Sequence, residues 1–397
     1  MLPKGFYCGG LHSGIAKSKS KNDFALFYSD SPCTVAGMFT GSLVKAAPVL
    51  IDIDRIKKYR LFQAIVANSG CANACTGKQG KRDALIVCKE VAKHLKISDT
   101  DILVASTGVI GDFLPVDKMV KAVPQLVENI KKKDELAAVS SIMTTDTYPK
   151  YISKKIKVST GEIKIWACTK GSGMIHPNLQ GLHATMLSFI LTDAQLYQKQ
   201  LQKVTEIAVK QSYNCISVDG DTSTNDTVLV LANGQSNTGK LDAKDLEIFQ
   251  QALNKVTLKL AKMMASDGEG ATRMIEIFVK NTKKHEDAEK IAATVATSPL
   301  VKTALFGSDA NWGRILAALG RAGVKVNPDK VDIYIGDVLT AKDGMAVKFD
   351  EKKAKKILQQ KECIITIDVK SGGKQWARYY TCDFSYDYVK INGSYRS

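Results

Sequence analysis

A threonine stands behind a small residue at the head of an apolar run, in H-A-T-M-L-S-F-I-L-T-D (183–193). The Thr185 hydroxyl is a weak nucleophile until a base takes its proton. If that hydroxyl attacked the preceding carbonyl and the Ala184–Thr185 bond broke, Thr185 would become a chain terminus. Its own α-amine, with an unperturbed pKa of ~7.7–8.0, could then accept the proton at neutral pH. The small Ala184 keeps the carbonyl reachable, and the glycine-rich K-G-S-G-M-I turn (170–175) tolerates a strained backbone. The same stretch also reads as a buried strand, in which such a threonine is an ordinary core residue. The residues alone leave both readings open.

Two other blocks invite chemistry and read better as structure. D-G-D-T-S-T-N-D-T (219–227) places Asp219, Asp221 and Asp226 as a metal loop would, but lacks the Gly and Glu that a calcium loop carries at positions six and twelve. It reads as a turn network of Asx-type hydrogen bonds. N-W-G-R (311–314) opens a helix, and a capped, packed helix start suits it better than an anion site. The nine cysteines form no C-x-x-C and do not cluster with the five histidines, so they predict reduced, mostly buried thiols and no metal site.

The elements that must hold these residues alternate irregularly. β-rich runs predict strands near 24–28, 35–40, 63–67, 101–105, 162–168, 227–232, 274–280, 331–336, 363–369 and 377–382. Helical periodicity appears near 82–96, 117–132, 193–210, 243–265, 286–297, 311–322 and 350–360. Without a strict β-α-β rhythm, the pattern predicts a layered α+β fold. Seven short blocks rich in Gly, Ser, Thr and Asn each abut a strand or helix, where sites usually form.

Bulk properties narrow the function. The 397 residues are 45% hydrophobic and 24% charged, as in an average soluble protein. No apolar run approaches the ~20 residues that span a bilayer, and the first residues do not resemble a secretory signal, so a cytoplasmic, non-membrane protein is expected. The net charge of +16 could suit nucleic acid. The lysines, however, spread along solvated helix faces, at Lys118, Lys121, Lys131–Lys133 and Lys352–Lys356, without interleaved aromatics. A lysine-rich enzyme surface that favours acidic substrates fits better.

Taken together and in order, the blocks resemble the ornithine acetyltransferase (glutamate N-acetyltransferase) family of arginine biosynthesis. The resemblance runs through G-F-Y-C-G-G-L-H-S-G-I-A (5–16), V-A-G-M-F-T (35–40), V-K-A-A-P-V (44–49) and A-N-S-G-C-A-N-A-C-T-G (67–77). It continues in S-T-G-V-I-G (106–111), M-T-T-D-T-Y-P-K (143–150), K-G-S-G-M-I, A-T-M-L-S-F-I-L-T-D-A (184–194) and V-D-G-D-T-S-T-N-D-T (218–227). It closes with D-G-E-G-A-T-R (267–273), S-D-A-N-W-G-R (308–314) and C-D-F-S-Y-D-Y-V-K-I-N (382–392). No single block is specific; their joint order and spacing is.

The resemblance implies an αββα-type sandwich and self-cleavage before Thr185, giving an α chain of 1–184 and a β chain of 185–397 that assemble as α2β2. It makes Thr185 the nucleophile that carries acetyl from N2-acetylornithine to glutamate. It assigns Thr107 and Gly108 to the oxyanion hole, where loss of one donor typically costs ~10²–10³ in turnover. It assigns Lys170, Glu269, Asn392, Ser397 and either Thr144 or Thr145 to substrate, which fits α-carboxylate and amine groups. It implies no metal and no bound cofactor. Two donors fit the motifs: N-acetylornithine alone, or also acetyl-CoA as co-substrate in a bifunctional member. A self-processed amidase or aminopeptidase and a basic nucleic-acid-binding protein on an enzyme scaffold are the rival readings.

One departure lies directly upstream of the expected cut. Family members usually have one residue between P-N and A-T-M-L; here Pro177–Asn178 is followed by L-Q-G-L-H (179–183). Processing is still expected, since Lys170 and Thr185 are both kept. His176 and His183 are read as loop histidines.

Overall fold

A computed structural model describes residues 1–18, 20–177 and 186–394. In chain order the elements are β1 (Phe6–Leu11), β2 (Phe24–Phe39), α1 (Ala47–Lys58), β3 (Leu61–Cys71), α2 (Gly77–Leu95), β4 (Ile102–Val109), α3 (Val116–Asn129), α4 (Glu135–Ser140), β5 (Lys150–Val158), β6 (Gly161–Lys170) and β7 (Leu187–Thr192). There follow α5 (Gln198–Lys210), β8 (Ile216–Ser217), β9 (Thr227–Ala232), α6 (Ala243–Ser266), β10 (Met274–Thr282), α7 (His285–Ala296), α8 (Pro299–Phe306) and α9 (Trp312–Gly320). The last are β11 (Asp332–Ile335), β12 (Val338–Lys342), β13 (Met345–Ala346), α10 (Glu351–Leu358), β14 (Glu362–Asp368), β15 (Gln375–Cys382) and α11 (Tyr386–Gly393).

The chain forms two compact units, one of residues 1–214 and 222–264, the other of 215–221 and 265–397. This division differs from the two chains expected of a cut at 184–185, which falls inside the first unit.

The first unit is built on one long, bent strand. Sequence alternation predicts two strands at 24–28 and 35–40; both belong to β2, and pairing with β3 shifts register between Tyr28 and Cys33. Ser-Asp-Ser-Pro occupies that break, where Pro32 has no N–H to give a ladder and an irregularity bends the strand. The first half of β2 pairs with β1 and β3, the second half with β9, and the sheet runs β4-β3-β2-β9-β7-β6-β5. The Phe27 ring lies 5.1 Å from Phe189 on β7 and 5.9 Å from Trp166 on β6. Neither strand neighbours β2, so ring contacts this close require the sheet to fold over and face itself. Ala25, Phe27, Ile65, Leu103, Trp166, Phe189 and Leu229 fill the layer between the faces.

Alternate residues point outward to helices. Phe24, Leu26, Val66 and Val104 pack with Val87 and Val91 of α2 and Met119 and Val123 of α3. Against the other sheet face lie α5, which contacts β2 and β9, and α6, whose Met264 Sδ receives the Thr169 hydroxyl of β6 at 3.3 Å. The order helix, sheet, sheet, helix is the expected αββα sandwich.

Strands β7 and β9 are parallel neighbours lodged between β2 and β6. The segment before the expected cut thus contributes strands on both sides of a pair that follows it.

The second unit has a sheet ordered β13-β12-β11-β14-β10-β15-β8. Ile275, Ile277, Ile333, Ile365 and Tyr379 pack there with Ile291 and Val295 of α7, Leu305 of α8 and Leu319 of α9. Among the described residues no helix is long and apolar enough to cross a membrane.

Seven of the nine cysteines are buried, and burial pushes the Cys88 thiol up to about 11. These are packing residues, as the scattered sequence pattern predicts.

Replacing Phe27 by Ala should remove the central ring of the sandwich and cost about 3–5 kcal/mol, seen as a lower urea midpoint with unchanged slope.

Candidate active site

Several of the blocks rich in small polar residues, among them 68–77, 106–111 and the Asn225–Thr227 end of 219–227, meet at one edge of the sandwich in the first unit. There β3 and β4 end side by side, with Ser69 opposite Thr107 and Gly70 opposite Gly108. Gly108 has a φ of +133°, and a Cβ there would sit 2.3 Å from the Gly70 carbonyl carbon, so only glycine fits. Asn68 ties the pair together: its side-chain oxygen accepts from the Ser106 hydroxyl at 2.7 Å, and its amide donates to the Cys71 carbonyl at 2.9 Å. Thr107 is buried within this crosslinked end.

At the same edge β7 begins between two partners. Leu187 pairs with Lys170, the last residue of β6, and with Thr227, the first of β9. The Met186 carbonyl accepts the Thr227 N–H. Two residues before Thr227, the Asn225 amide donates to the Ala72 carbonyl at 2.6 Å and to the Ser106 carbonyl at 2.7 Å. Its oxygen accepts the Thr224 hydroxyl. One buried side chain therefore joins the start of β9 to the segment carrying Thr107 and Gly108.

The M-T-T-D block is bonded to the turn that follows Lys170. The Asp146 side chain is wholly buried with that of Lys150, 2.7 Å away. It also accepts the Gly171 N–H at 2.8 Å and the Thr144 N–H at 3.1 Å. Burial alone would raise this carboxyl; the ammonium groups of Lys150 and Lys170 and the Gly171 N–H outweigh it and hold it below the usual carboxylate range. Lys21 donates to the Thr144 carbonyl at 2.8 Å. Thr144, Asp146, Lys21 and Met143 line a cavity of about 600 Å³.

In the second unit Glu269 lies in the loop between α6 and β10, and Asn392 on α11. The Asn392 amide donates to the Glu269 carboxylate at 2.8 Å. The loop is pinned to α11 at Gly270, whose carbonyl accepts the Ser385 hydroxyl and whose φ of +68° leaves no room for a Cβ beside the Tyr388 N–H.

Of the residues singled out in the sequence, Thr107, Gly108, Thr144, Thr145 and Lys170 lie in the first unit, and Glu269 and Asn392 are paired in the second. Ala184, Thr185, Ser397, His183 and the L-Q-G-L-H segment lie outside the described residues. The 219–227 block forms turns, with Ser217 and Asp219 side chains accepting the Gly220 and Asp221 N–H groups. Asn311 caps α9 by accepting the Arg314 N–H. Among the described residues no group of three or more His, Cys, Asp or Glu is placed to hold a metal. Asn68, Asn225 and Asp146 were not assigned roles from sequence; their signal is an amide or carboxylate within a block of small polar residues.

The profile of the ArgJ family matches residues 7–397. The chain belongs to the ArgJ family. It is 47% identical over its whole length to the arginine biosynthesis bifunctional protein ArgJ of Caldanaerobacter subterraneus, covering 98% of that protein. It is 48% identical to ArgJ 1 of Clostridium acetobutylicum, with 98% of this chain and 95% of the relative covered. A crystal structure of the Bacillus halodurans bifunctional protein aligns with a TM-score of 0.50 at 38% identity, covering 52% of this chain and 98% of that one.

Substituting Asn225 by Ala would strand two buried carbonyls. It should cost roughly 2–4 kcal/mol, measurable by urea unfolding, with loss of activity before loss of the fold.

Proposed function

We propose that this chain is a self-processed acetyltransferase of arginine biosynthesis, moving acetyl from N2-acetylornithine to glutamate and yielding ornithine and N-acetylglutamate. The observation that carries the reading is the shared edge of the first unit. Met186 and Leu187, which follow Thr185 in sequence, lie between Lys170 on β6 and the Thr227–Asn225–Ser106 connection to Thr107. Relatives named as bifunctional arginine biosynthesis proteins support it at 47–48% identity.

In this reading the Thr185 hydroxyl first attacks the Ala184 carbonyl. The C–N bond breaks as the acyl group moves to the Thr185 oxygen, which frees the α-amine, and water then hydrolyses that ester, leaving an Ala184 carboxylate and a free Thr185 hydroxyl. That amine then takes the hydroxyl proton as the oxygen attacks the acetyl carbonyl of N-acetylornithine. The Thr107 hydroxyl and Gly108 N–H stabilise the resulting oxyanion. Collapse returns the proton to the departing ornithine nitrogen and leaves acetyl on Thr185. The glutamate amine attacks this ester, and the same α-amine carries the proton back. Lys170 pairs with a substrate carboxylate, Thr144 or Thr145 and Ser397 offer hydroxyls, and Glu269, steadied by Asn392, takes a substrate amine. Acetyl-CoA serves as a second donor, in line with the relatives' bifunctional names. No resident cofactor, metal or nucleic acid takes part. The processed protein is assigned to the cytoplasm as an α2β2 assembly.

The test pairs intact mass under denaturing conditions with an acetyl-exchange assay, wild type beside Thr185→Ala. The wild type should give two pieces, 1–184 and 185–397, and transfer acetyl from N-acetylornithine to glutamate; the variant should stay whole and inactive. A whole, inactive wild type would sink the proposal. Acetyl-CoA with glutamate should also give N-acetylglutamate if the second donor is used.

A further inference from the structure

Asp146 is a buried charge at this edge that the reaction above leaves without a task. It lies two residues after Thr144 and bonds three segments: Lys150 on β5, Gly171 after Lys170, and Thr144. One carboxylate oxygen receives both the Lys150 ammonium at 2.7 Å and the Gly171 N–H at 2.8 Å; the other receives the Thr144 N–H at 3.1 Å. Gly171 directly follows Lys170 and has a φ of +150°, so the chain turns sharply where the strand ends. Asp146 thus fixes the backbone leaving Lys170 and the backbone entering Thr144–Thr145 with a single group. The Lys170 ammonium also acts on this carboxylate electrostatically. Asp146 also borders the cavity of about 600 Å³ that Thr144 and Lys21 line, while its carboxylate and the Lys150 side chain are themselves buried.

We infer that Asp146 is a positioning residue for substrate binding: it holds the Lys170 ammonium and the Thr144–Thr145 hydroxyls in the one relative placement that receives the amino-acid carboxylate. The inference rests on the proposed acetyl transfer, and it assigns Asp146 no contact with the reacting atoms. Lys150 is its charge partner. A carboxylate at this point can satisfy the ammonium and two N–H groups together. The amide of Asn has one acceptor oxygen and a donor nitrogen, so it cannot serve both strands of the network.

The test uses the full-length, processed protein. Asp146→Asn alone would take its carboxylate partner from the buried Lys150 ammonium, which by itself can prevent folding. The double variant Asp146→Asn/Lys150→Met removes both charges together; Lys150→Met alone, in which the carboxylate keeps the Gly171 and Thr144 N–H groups and the Lys170 charge, is the control. Exchange kinetics are measured for N-acetylornithine and glutamate. Because a misplaced carboxylate anchor weakens ground state and transition state alike, the double variant should raise both KM values about tenfold or more while kcat changes less than about threefold. The Lys150→Met control should keep KM within about twofold of wild type. The double change is also placed on a Lys170→Ala background. Since residues acting as one unit are not additive, it should there change kcat/KM by less than about twofold.

Unchanged KM in a folded double variant overturns the inference. So does an effect that adds in full on the Lys170→Ala background, or an insoluble double variant beside a soluble Lys150→Met. If Lys170→Ala leaves no measurable turnover, the KM split decides alone. A wild type without exchange activity would instead refute the acetyltransferase reading, and Lys170→Ala with wild-type KM would refute the role of Lys170. These failures are distinct from that of Asp146.

Discussion

Two hydrogen bonds from one buried amide hold the edge of the first unit together. Asn225 donates to the carbonyls of Ala72 and Ser106, which belong to the β3–β4 end of the folded sheet, and it stands two residues before β9. Everything placed by β9 follows from it: Leu187 by pairing with Thr227, and Lys170 by pairing with Leu187. A sandwich face filled by Phe27, Phe189 and Trp166 sets the spacing of the layers but is indifferent to sliding. Directional bonds to carbonyls are not, because their strength falls steeply with angle. Hydrophobic packing therefore makes the sandwich, and Asn225 sets which residues meet at its rim.

The fold was legible where periodicity was strong. Helix α6, with Phe249, Leu253, Val256 and Leu260 buried, and strands β9 and β10 lie where the apolar pattern predicts. Strand β5 was missed because it reads K-Y-I-S-K-K-I-K-V, a sheet edge whose lysines hide the alternation. Helices α4, α8 and α11 were missed because they are short, and α1 because Asp52 and Arg55 interrupt the apolar pattern of its buried face. The helix expected from 193 begins at Gln198, since Asp193 turns the chain by accepting the N–H groups of Lys4 and Lys164. The bend that makes β2 one strand was visible only as Ser-Asp-Ser-Pro. Its consequence depends on partners far away in the chain, which local pattern does not carry.

The site was legible as blocks and illegible as connections. Small polar residues flagged both kinds of work without distinguishing them. Asn311 and Arg273 end in caps: Arg273 donates to the Ser308 hydroxyl and to the Leu305 and Leu358 carbonyls, closing α8 and α10. Asn68, Asn225 and Asp146 use the same chemistry to brace Thr107 and Lys170. Spacing could not separate the groups, because apart from the local Asn311 cap each of these bonds joins residues far apart in sequence.

Strands β7 and β9, both beyond residue 185, are enclosed by β2 and β6, both before it. Two seams of six residue pairs each hold them in place. A chain divided at 184–185 would therefore be interlocked through its sheet, and no covalent link would be needed to keep its halves together. The same interlock works against assembly from separate parts. Two polypeptides made apart would each expose unpaired strand edges, and the later pair would have to enter a gap between strands that had not yet met. The topology thus imposes a sequence in time: the sheet closes as one polypeptide, and any scission comes afterwards. For a chain cut at 184–185, synthesis as a single polypeptide would then be required by the architecture as much as by the chemistry of the cut.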